Sequence, residues 1–418
     1  MSFLQNYTLW NSGTEVPEQY YFWSGLSTLA ALMNGHVWIH MGRFQIFPNL
    51  YVVLIGPPGN GKTSALRRAE HLTRSFSDVS LSAQSETAEG LVRFMRDQCI
   101  KTVELDGKVV PYTPLTCFLS ELSNFFGRDP GGMIDLLTGI WDFSGDVYHR
   151  RTKGQGEDIL PRPNLNLLGC TTQEWITTYL KSDIIGGGFT RRVVFVNELM
   201  GDDVVRVSWP DDTHETLTAK QNCLNYGTLL RDVRGEMAYG QGARSWWDRW
   251  YNTRVISREP DVRGYHKSKP TLLLKVATLV ALSAAPERVV NVDDLEIALA
   301  LLDKTEKNLH EVFQGIGKNP LNVIALQALN MLQAAPEKDY LDTGVKKRAK
   351  FMDRKIMEGM LYKDAKGMDL KDVFDHLFSS GKVFRLDVPI KGVTRTMIGL
   401  TESIKDSPVA SLGGTTPT

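Results

Sequence analysis

Apolar positions near the start of the chain recur at helical spacing. Phe22, Leu26, Leu29 and Met33 lie four, three and four residues apart, on one face of a helix that Pro17 opens and Gly35 ends. From His36 to Gly56 the residues are aromatic and β-branched, broken at Met41-Gly42-Arg43 and Pro48-Asn49. That pattern predicts a hairpin feeding a strand over Leu50 to Ile55. Helices are expected over Ser64 to Phe76, Thr87 to Gln98 (Leu91, Phe94 and Met95 inward), Gly131 to Trp141 and Gln173 to Leu180. Between them lie short apolar runs at Leu115 to Leu119, Leu165 to Cys170 and Val193 to Val196. Buried strands alternating with helices indicate a parallel sheet covered on both faces, so the fold class is α/β.

Beyond Met200 the apolar strands stop. Gly201 to Pro210 reads as a linker, and residues up to about 316 read as helical: Arg244 to Ser257 with three tryptophans, Thr271 to Ala284, and Val292 to Phe313. A last unit begins near Pro320, with helices over Leu321 to Leu332, Lys346 to Leu361 and Leu370 to Ser379, then strands around Val383 and Met397. Three helices before a β-hairpin is the plan of a winged helix. The predicted domains are therefore 1–200 (helix and α/β core), 201–316 (helical region), 320–404 (winged-helix-like) and 405–418, a tail of disorder-prone composition.

Composition narrows the setting. The 418 residues carry 48 Lys+Arg and 48 Asp+Glu, a formal net charge of zero, so nucleic acid has to be met by a local basic feature. Cys99, Cys117, Cys170 and Cys223 stand singly without metal-ligand spacing, which argues against a disulfide framework or zinc site and for a reducing, cytoplasmic setting. No apolar run approaches the roughly 20 residues of a membrane span, and no signal peptide opens the chain.

The chemistry starts at Gly56-Pro57-Pro58-Gly59-Asn60-Gly61-Lys62-Thr63, followed by Ser64. In a Gly-x-x-x-x-Gly-Lys-Thr loop between strand and helix, backbone N–H groups wrap phosphates and the helix aims its positive end at them. Lys62 then reaches the β- and γ-phosphates of ATP and Thr63 the Mg²⁺. An acid at the end of a neighbouring strand is needed to polarise water, and Leu115 to Glu121 supplies Glu121, with Ser120 where Asp is usual. Ser120 can bind metal-bound water; Glu121 can alternatively just start a surface helix. Thr171 and Thr172, ending the next apolar run, suit either orientation of the lytic water or capping of the following helix. Arg191 and Arg192 before Val193 read as transition-state cations or as surface arginines. Residues 145–160 read as a hairpin in which Arg150, Arg151 and Lys153 can track a phosphate backbone while Tyr148 and His149 stack on bases, or as a solvated loop.

With these elements in this order the chain resembles the AAA+ ATPases that carry a β-hairpin before the third conserved strand, namely minichromosome maintenance and superfamily 3 viral helicases. Pro48-Asn49-Leu50-Tyr51, Leu168-Gly169-Cys170-Thr171-Thr172 and Gly188-Phe189-Thr190-Arg191-Arg192 are also similar to phage and mobile-element P-loop proteins regarded as replicative-helicase-like. The resemblance covers residues 17 to 316. It implies an AAA+ P-loop core with a helical lid and a hexameric ring in which Lys62, Thr63 and Glu121 act in cis and Arg191 or Arg192 in trans. Hairpins would line a DNA channel, and a lid cation, Lys267 or Lys269, would approach the γ-phosphate. A C-terminal winged helix accompanies the minichromosome maintenance helicases; here Lys346, Lys347, Arg348, Lys350, Arg354 and Lys355 would form a basic helix face or an ordinary solvated one. Ser120 and the short N-terminal region depart from the family pattern, so a primase partner would be another chain.

The leading expectation is an ATP-driven helicase or translocase on single-stranded or forked DNA in phage or mobile-element replication, inside the bacterial host if phage-encoded. The alternative is an ATP-switched assembly factor, a helicase loader or DNA-transaction regulator, without unwinding activity. A nucleotide-sensing defence protein ranks last, since no effector is evident.

Overall fold

The computed structural model describes the chain except residues 106, 128–130, 142–146, 153–155, 180–187, 199–206, 208–210, 259, 309–311, 313–319, 343–344, 363–369, 391–392 and 407–418. It divides into two compact units, Met1–Ile316 and Gly317–Thr418.

The first unit opens with α1 (Phe3–Trp10), α2 (Glu18–Met33), the hairpin β1 (Val37–Met41) and β2 (Phe44–Ile46), and β3 (Tyr51–Ile55). Next come α3 (Lys62–Thr73), α4 (Ala88–Gln98), β4 (Lys101–Leu105), β5 (Lys108–Leu119), α5 (Leu122–Phe126) and α6 (Gly131–Trp141). A second hairpin, β6 (Val147–Thr152) and β7 (Gly156–Pro161), precedes β8 (Pro163–Thr171), α7 (Gln173–Tyr179), a 3-10 turn (Thr190–Arg192) and β9 (Val193–Asn197). The unit continues with α8 (His214–Leu230), β10 (Gly235–Tyr239), α9 (Ala243–Thr253), α10 (Pro260–Ala284), β11 (Val289–Val290) and α11 (Val292–Lys307).

The fold is mixed α/β. Its main sheet runs β4-β5-β8-β3-β9, with β5, β8, β3 and β9 mutually parallel and β4 antiparallel along the first half of β5. Every residue of β3, β8 and β9 is buried, as expected of parallel strands covered on both faces. Ile55 is in register with Thr171 on one side and Asn197 on the other, and Leu119 with Gly169. The carboxy ends of β3, β8, β5 and β9 thus arrive at one edge of the sheet, where parallel α/β folds place ligands.

Two expectations for this unit need correction. The region after residue 200 is not purely helical, because β10 and β11 join β1 and β2 in a second sheet, β11-β10-β1-β2. Met237 is buried between exposed Glu236 and Ala238, a period-two signal too short to stand out among helices. The helix expected over Thr271 to Ala284 begins at Pro260, so Pro270 lies inside α10; burial of Val262 and Tyr265 on its amino-terminal side outweighs the lost backbone bond. The linker at 201–210 lies outside the described residues except for Val207, whose N–H donates to Glu15 Oε1 at 2.8 Å. A helix before residue 17 went unread: Ser2 caps α1, and the Tyr7 ring packs so close to Gly25 that a Cβ there would meet it at 2.9 Å.

In the second unit α12 (Pro320–Ala334) is followed by β12 (Glu337–Asp342), β13 (Val345–Asp353), α13 (Arg354–Leu361), α14 (Leu370–Ser379), β14 (Val383–Ile390), β15 (Val393–Leu400) and β16 (Lys405–Asp406). The antiparallel sheet runs β12-β13-β15-β14, with β16 on β13. Ala328, Leu332, Met357, Phe374, Leu377 and Ile398 form its core with the helices. The expected helix over Lys346 to Leu361 is a strand as far as Asp353, because Ala349, Phe351 and Asp353 are buried at alternate positions. Asp353 then caps α13, accepting from Lys355 N at 2.8 Å. Lys346, Lys347, Arg348 and Lys350 therefore lie on β13, and only Arg354 and Lys355 on a helix. Of the expected tail, Lys405–Asp406 is strand and 407–418 lie outside the described residues.

Two buried polar groups tie the first unit together. Lys275 on α10 donates to Phe47 O at 2.8 Å and Asn49 Oδ1 at 2.5 Å, with its ammonium 4.2 Å from the Trp141 ring centroid. Asn49 Nδ2 donates onward to Leu165 O at 3.3 Å, so one lysine fixes the segment entering β3 against α10, α6 and β8. His36, just before β1, is buried edge-on to Tyr112; burial first, then Arg234, Lys101 and Arg231, outweigh Asp78 and push its pKa down to about 4. All four cysteines are buried, which pushes the thiol pKa up to about 11 for Cys99 and about 12 for Cys117, Cys170 and Cys223.

Lys275→Met should lower the unfolding free energy by about 2–4 kcal/mol in urea titrations, since two buried acceptors lose their donor. Exposed Lys108→Met should stay within about 0.5 kcal/mol. His36 should make stability fall with acid: the unfolded histidine takes a proton near 6.5 and the folded one only near 4. Its contribution is complete above pH 6.5 and shrinks by about 3 kcal/mol on passing down through that window. Urea titrations at pH 7 and 4.5 should show a smaller pH difference for His36→Gln than for wild type.

Candidate functional site

The glycine-rich loop leaves β3 at Ile55 and enters α3 at Lys62. Gly59 (φ 83°) and Gly61 (φ 73°) are in the left-handed region, and a Cβ on Gly61 would meet Val16 at 2.6 Å, so side chains are excluded there. No side chain caps α3, which leaves its first-turn N–H groups facing the loop. Lys62 is folded back, Nζ donating to Gly56 O and Pro57 O, both at 2.7 Å. Burial lowers its pKa, opposed by Cys170 and Glu121, so the ammonium is buried beside its own loop with a carboxylate in electrostatic range.

Glu121 follows β5 directly, at the cap position of α5, and its exposed carboxylate makes no capping bond. Gly169 in β8 permits this placement, because a Cβ there would meet Leu122 at 2.6 Å. The Ser120 hydroxyl donates to Gln84 Oε1 at 3.2 Å, and Ser120 N donates to the same oxygen at 3.1 Å. Gln84 Nε2 in turn holds Phe118 O at 2.6 Å. Gln84 carries no motif or periodicity that marks it in sequence; it becomes visible through the chain pairing of Leu81 with Thr116. Thr171 is buried and in register with Ile55 at the loop. Thr172 takes the capping role, its Oγ1 accepting from Trp175 N at 3.3 Å.

The two arginines separate. Arg192 is buried, its guanidinium 5.6 Å from the Trp141 ring centroid and donating to Gly188 O, so it belongs to the interior. Arg191 is half-buried on the same turn, with its Cβ near Gly264 of α10. An arginine that serves a neighbouring subunit has to leave its own, and of this pair Arg191 alone keeps exposure. Lys269 is committed to Asp303 (2.5 Å) and Glu306 on α11, while Lys267 is exposed.

β6 and β7 form the expected hairpin, in register from Val147↔Pro161 to Thr152↔Gly156. Its basic residues are matched by acids: Arg150 with Glu89 of α4 (2.6 Å), Arg151 and His149 with Glu157 (3.2 and 3.0 Å). Asp158 holds Arg96 of α4 at 2.5 Å, so the hairpin is strapped to that helix. Tyr148 is half-buried against α6 near Gly139, and Lys153 lies outside the described residues.

A cavity of about 510 Å³ abuts the loop. Glu15, Val16 and Tyr21 from the start of α2 and the turn before it line it, with Gly59, Gly61, Ser64, Arg67 and Arg68. Thr14 Oγ1 and the Tyr21 hydroxyl are 3.1 Å apart on its wall. Sequence reading missed this wall; the adjacent Arg67-Arg68 on an otherwise apolar-faced helix is its one linear signal. Among the described residues no group of three or more His, Cys, Asp or Glu could hold a metal unaided, and no helix is long and apolar enough to cross a membrane.

No protein-family model matches the chain, and no curated protein matches it.

Arg192→Ala should cost about 2–4 kcal/mol of stability, as a buried cation's contacts are lost. Arg191→Ala should cost under about 1 kcal/mol by the same chemical denaturation. Equal losses would contradict the division of roles drawn for them.

Proposed function

We propose that the chain is an AAA+-type P-loop ATPase, and that its ATPase cycle drives a ring-forming DNA translocase or helicase. The observation that carries the ATPase reading is the strand order: β8 lies between β3 and β5, so the Gly56–Thr63 loop, Thr171 and Glu121 meet at one sheet edge. In this reading Lys62 exchanges the Gly56 and Pro57 carbonyls for the β- and γ-phosphates, and the amides opening α3 receive their remaining charge. Glu121 accepts the proton of the water that attacks the γ-phosphate in line, and Thr171 orients that water.

The donor set fits Mg²⁺ arriving with its nucleotide. The Thr63 and Ser120 hydroxyls would hold it, directly or through water, with Gln84 orienting Ser120 and the Glu121 carboxylate as a further oxygen donor. When bound, Mg²⁺ supplies charge neutralisation on the phosphate oxygens. The 510 Å³ cavity beside the loop has room for base and ribose. Arg191 is the cation assigned to a neighbouring subunit, which makes the active form an oligomer, with a hexamer implied by the resemblance. The second unit has the helix, strand, helix, helix, strand, strand order of a winged helix, widened by β12.

One observation favours the second reading, an ATP-switched assembly factor. The hairpin arginines offered to DNA are already paired with Glu89 and Glu157, which lowers what a phosphate backbone would gain from them.

Steady-state hydrolysis by wild type and Lys62→Ala, with and without single-stranded DNA at two salt concentrations, tests both. The variant should lose turnover by at least about a hundredfold. Stimulation by DNA that weakens with salt supports the motor. Hydrolysis indifferent to DNA moves the assignment to the protein-directed switch, and wild type without turnover removes the ATPase reading.

A further inference from the structure

The glycine-rich loop is held from behind by a small network of hydrogen bonds. Tyr20, fully buried on α2, donates its hydroxyl proton to Ile55 O, 2.5 Å away at the last residue of β3. Its oxygen accepts from Asn60 Nδ2 at 2.8 Å, and the other Nδ2 hydrogen goes to Glu198 O at 2.6 Å, one residue past β9. Glu198 O also lies 2.8 Å from the Tyr20 oxygen, but a phenol has one proton to give. With that proton on Ile55 O, the two hydrogens of Asn60 satisfy Tyr20 and Glu198, and Asn60 Oδ1 is the one atom of the two side chains left buried without a partner. Burial pushes the Tyr20 pKa up to about 12, which keeps it a donor at neutral pH. The network fills the space beside Gly56, where a Cβ would meet Asn60 Nδ2 at 2.6 Å and the Tyr20 oxygen at 2.7 Å.

Tyr20 of α2 therefore joins the end of β3 to Asn60 of the loop, and Asn60 joins the loop to the end of β9. None of these bonds uses Lys62, which stays free to move from the Gly56 and Pro57 carbonyls to a ligand. A loop with two left-handed glycines has much backbone freedom to lose on binding. Freedom removed beforehand is not lost again when the ligand arrives.

We propose that Tyr20 and Asn60 are positioning residues, which fix the Gly56–Thr63 loop against the ends of β3 and β9 in the shape that receives the phosphates of a nucleotide. The proposal rests on the nucleotide reading of the loop and adds to it a residue of α2 that lies outside the phosphate motif. Tyr20→Phe keeps the ring and removes only the hydroxyl; Asn60→Ala removes the other arm.

The test is a double-mutant cycle on the full chain, with binding of a fluorescent ATP analogue read by titration and exchange of the amides of residues 59, 60 and 61 read by hydrogen–deuterium mass spectrometry. Thermal melts select variants that fold, and either single variant suffices for the comparison with wild type. Each single change should weaken binding by about tenfold and speed exchange of the loop amides. The double variant should be little worse than either single, because each change opens the same network. Tyr20→Phe and Asn60→Ala that bind within twofold of wild type would overturn the positioning role while leaving the nucleotide site standing. Independent losses that multiply to about a hundredfold in the double variant would overturn the shared network. Wild type that binds no nucleotide would overturn the reading of the loop and the proposal with it.

Discussion

β3 is the strand on which the first unit depends. Its five residues are buried, so its backbone N–H and C=O groups have no access to water and have to be paired within the sheet. β8 supplies partners on one side and β9 on the other. Once both neighbours are parallel and in register, the ends of all three strands emerge together: the loop at Gly56 after β3, Thr171 closing β8, and Glu198 after β9. β5 joins through β8 and adds Glu121. Lys275 works at the opposite end, tying the entry to β3 to α10 and α6. The strand is thus anchored where it begins by a buried ammonium and where it ends by a phenol and an amide.

Charge is distributed with similar economy. A chain with zero formal net charge keeps many of its described cations paired locally, as the hairpin β6–β7 and the α10–α11 contact show. Lys62 differs: it is buried, bonded only to backbone carbonyls in its loop, and near a carboxylate it does not touch. Carbonyl partners are the easier ones to surrender to a phosphate, because leaving them breaks no ion pair. Electrostatics therefore singles out the loop, and not the hairpin, as the first unit's most evident place for an anion.

Much of this was legible in sequence where one physical signal dominated. Continuous apolar runs located β3, β8 and β9, and α6 matches its apolar pattern end to end. The loop glycines carried their own explanation, since two of them adopt conformations that other residues resist. Failures arose where two signals competed. Lys346 to Asp353 is rich in good helix formers, yet burial of Ala349 and Phe351 at alternate positions makes it a strand. The helix expected from Thr271 starts instead at Pro260, and packing of Tyr265 carries it past Pro270. The site was less legible than the fold because its supports are distant in sequence: Gln84 behind Ser120, Tyr20 behind Asn60 and Gly169 beneath Leu122 act through contacts that no spacing encodes. Arg191 and Arg192 are adjacent and chemically identical, and only the surroundings of Arg192, Trp141 and Gly188 O, tell them apart.

The four cysteines bear on how the protein can be studied. Each thiol is enclosed, and burial disfavours the thiolate that alkylating reagents and disulfide exchange require. The native chain is therefore close to a silent background for thiol labelling. A cysteine introduced at an exposed apolar position, such as Phe44 at the start of β2 or Val109 near the start of β5, would be the one readily modified thiol on the described surface. Dyes placed there would report on conformational change around them without first removing any residue that the core needs.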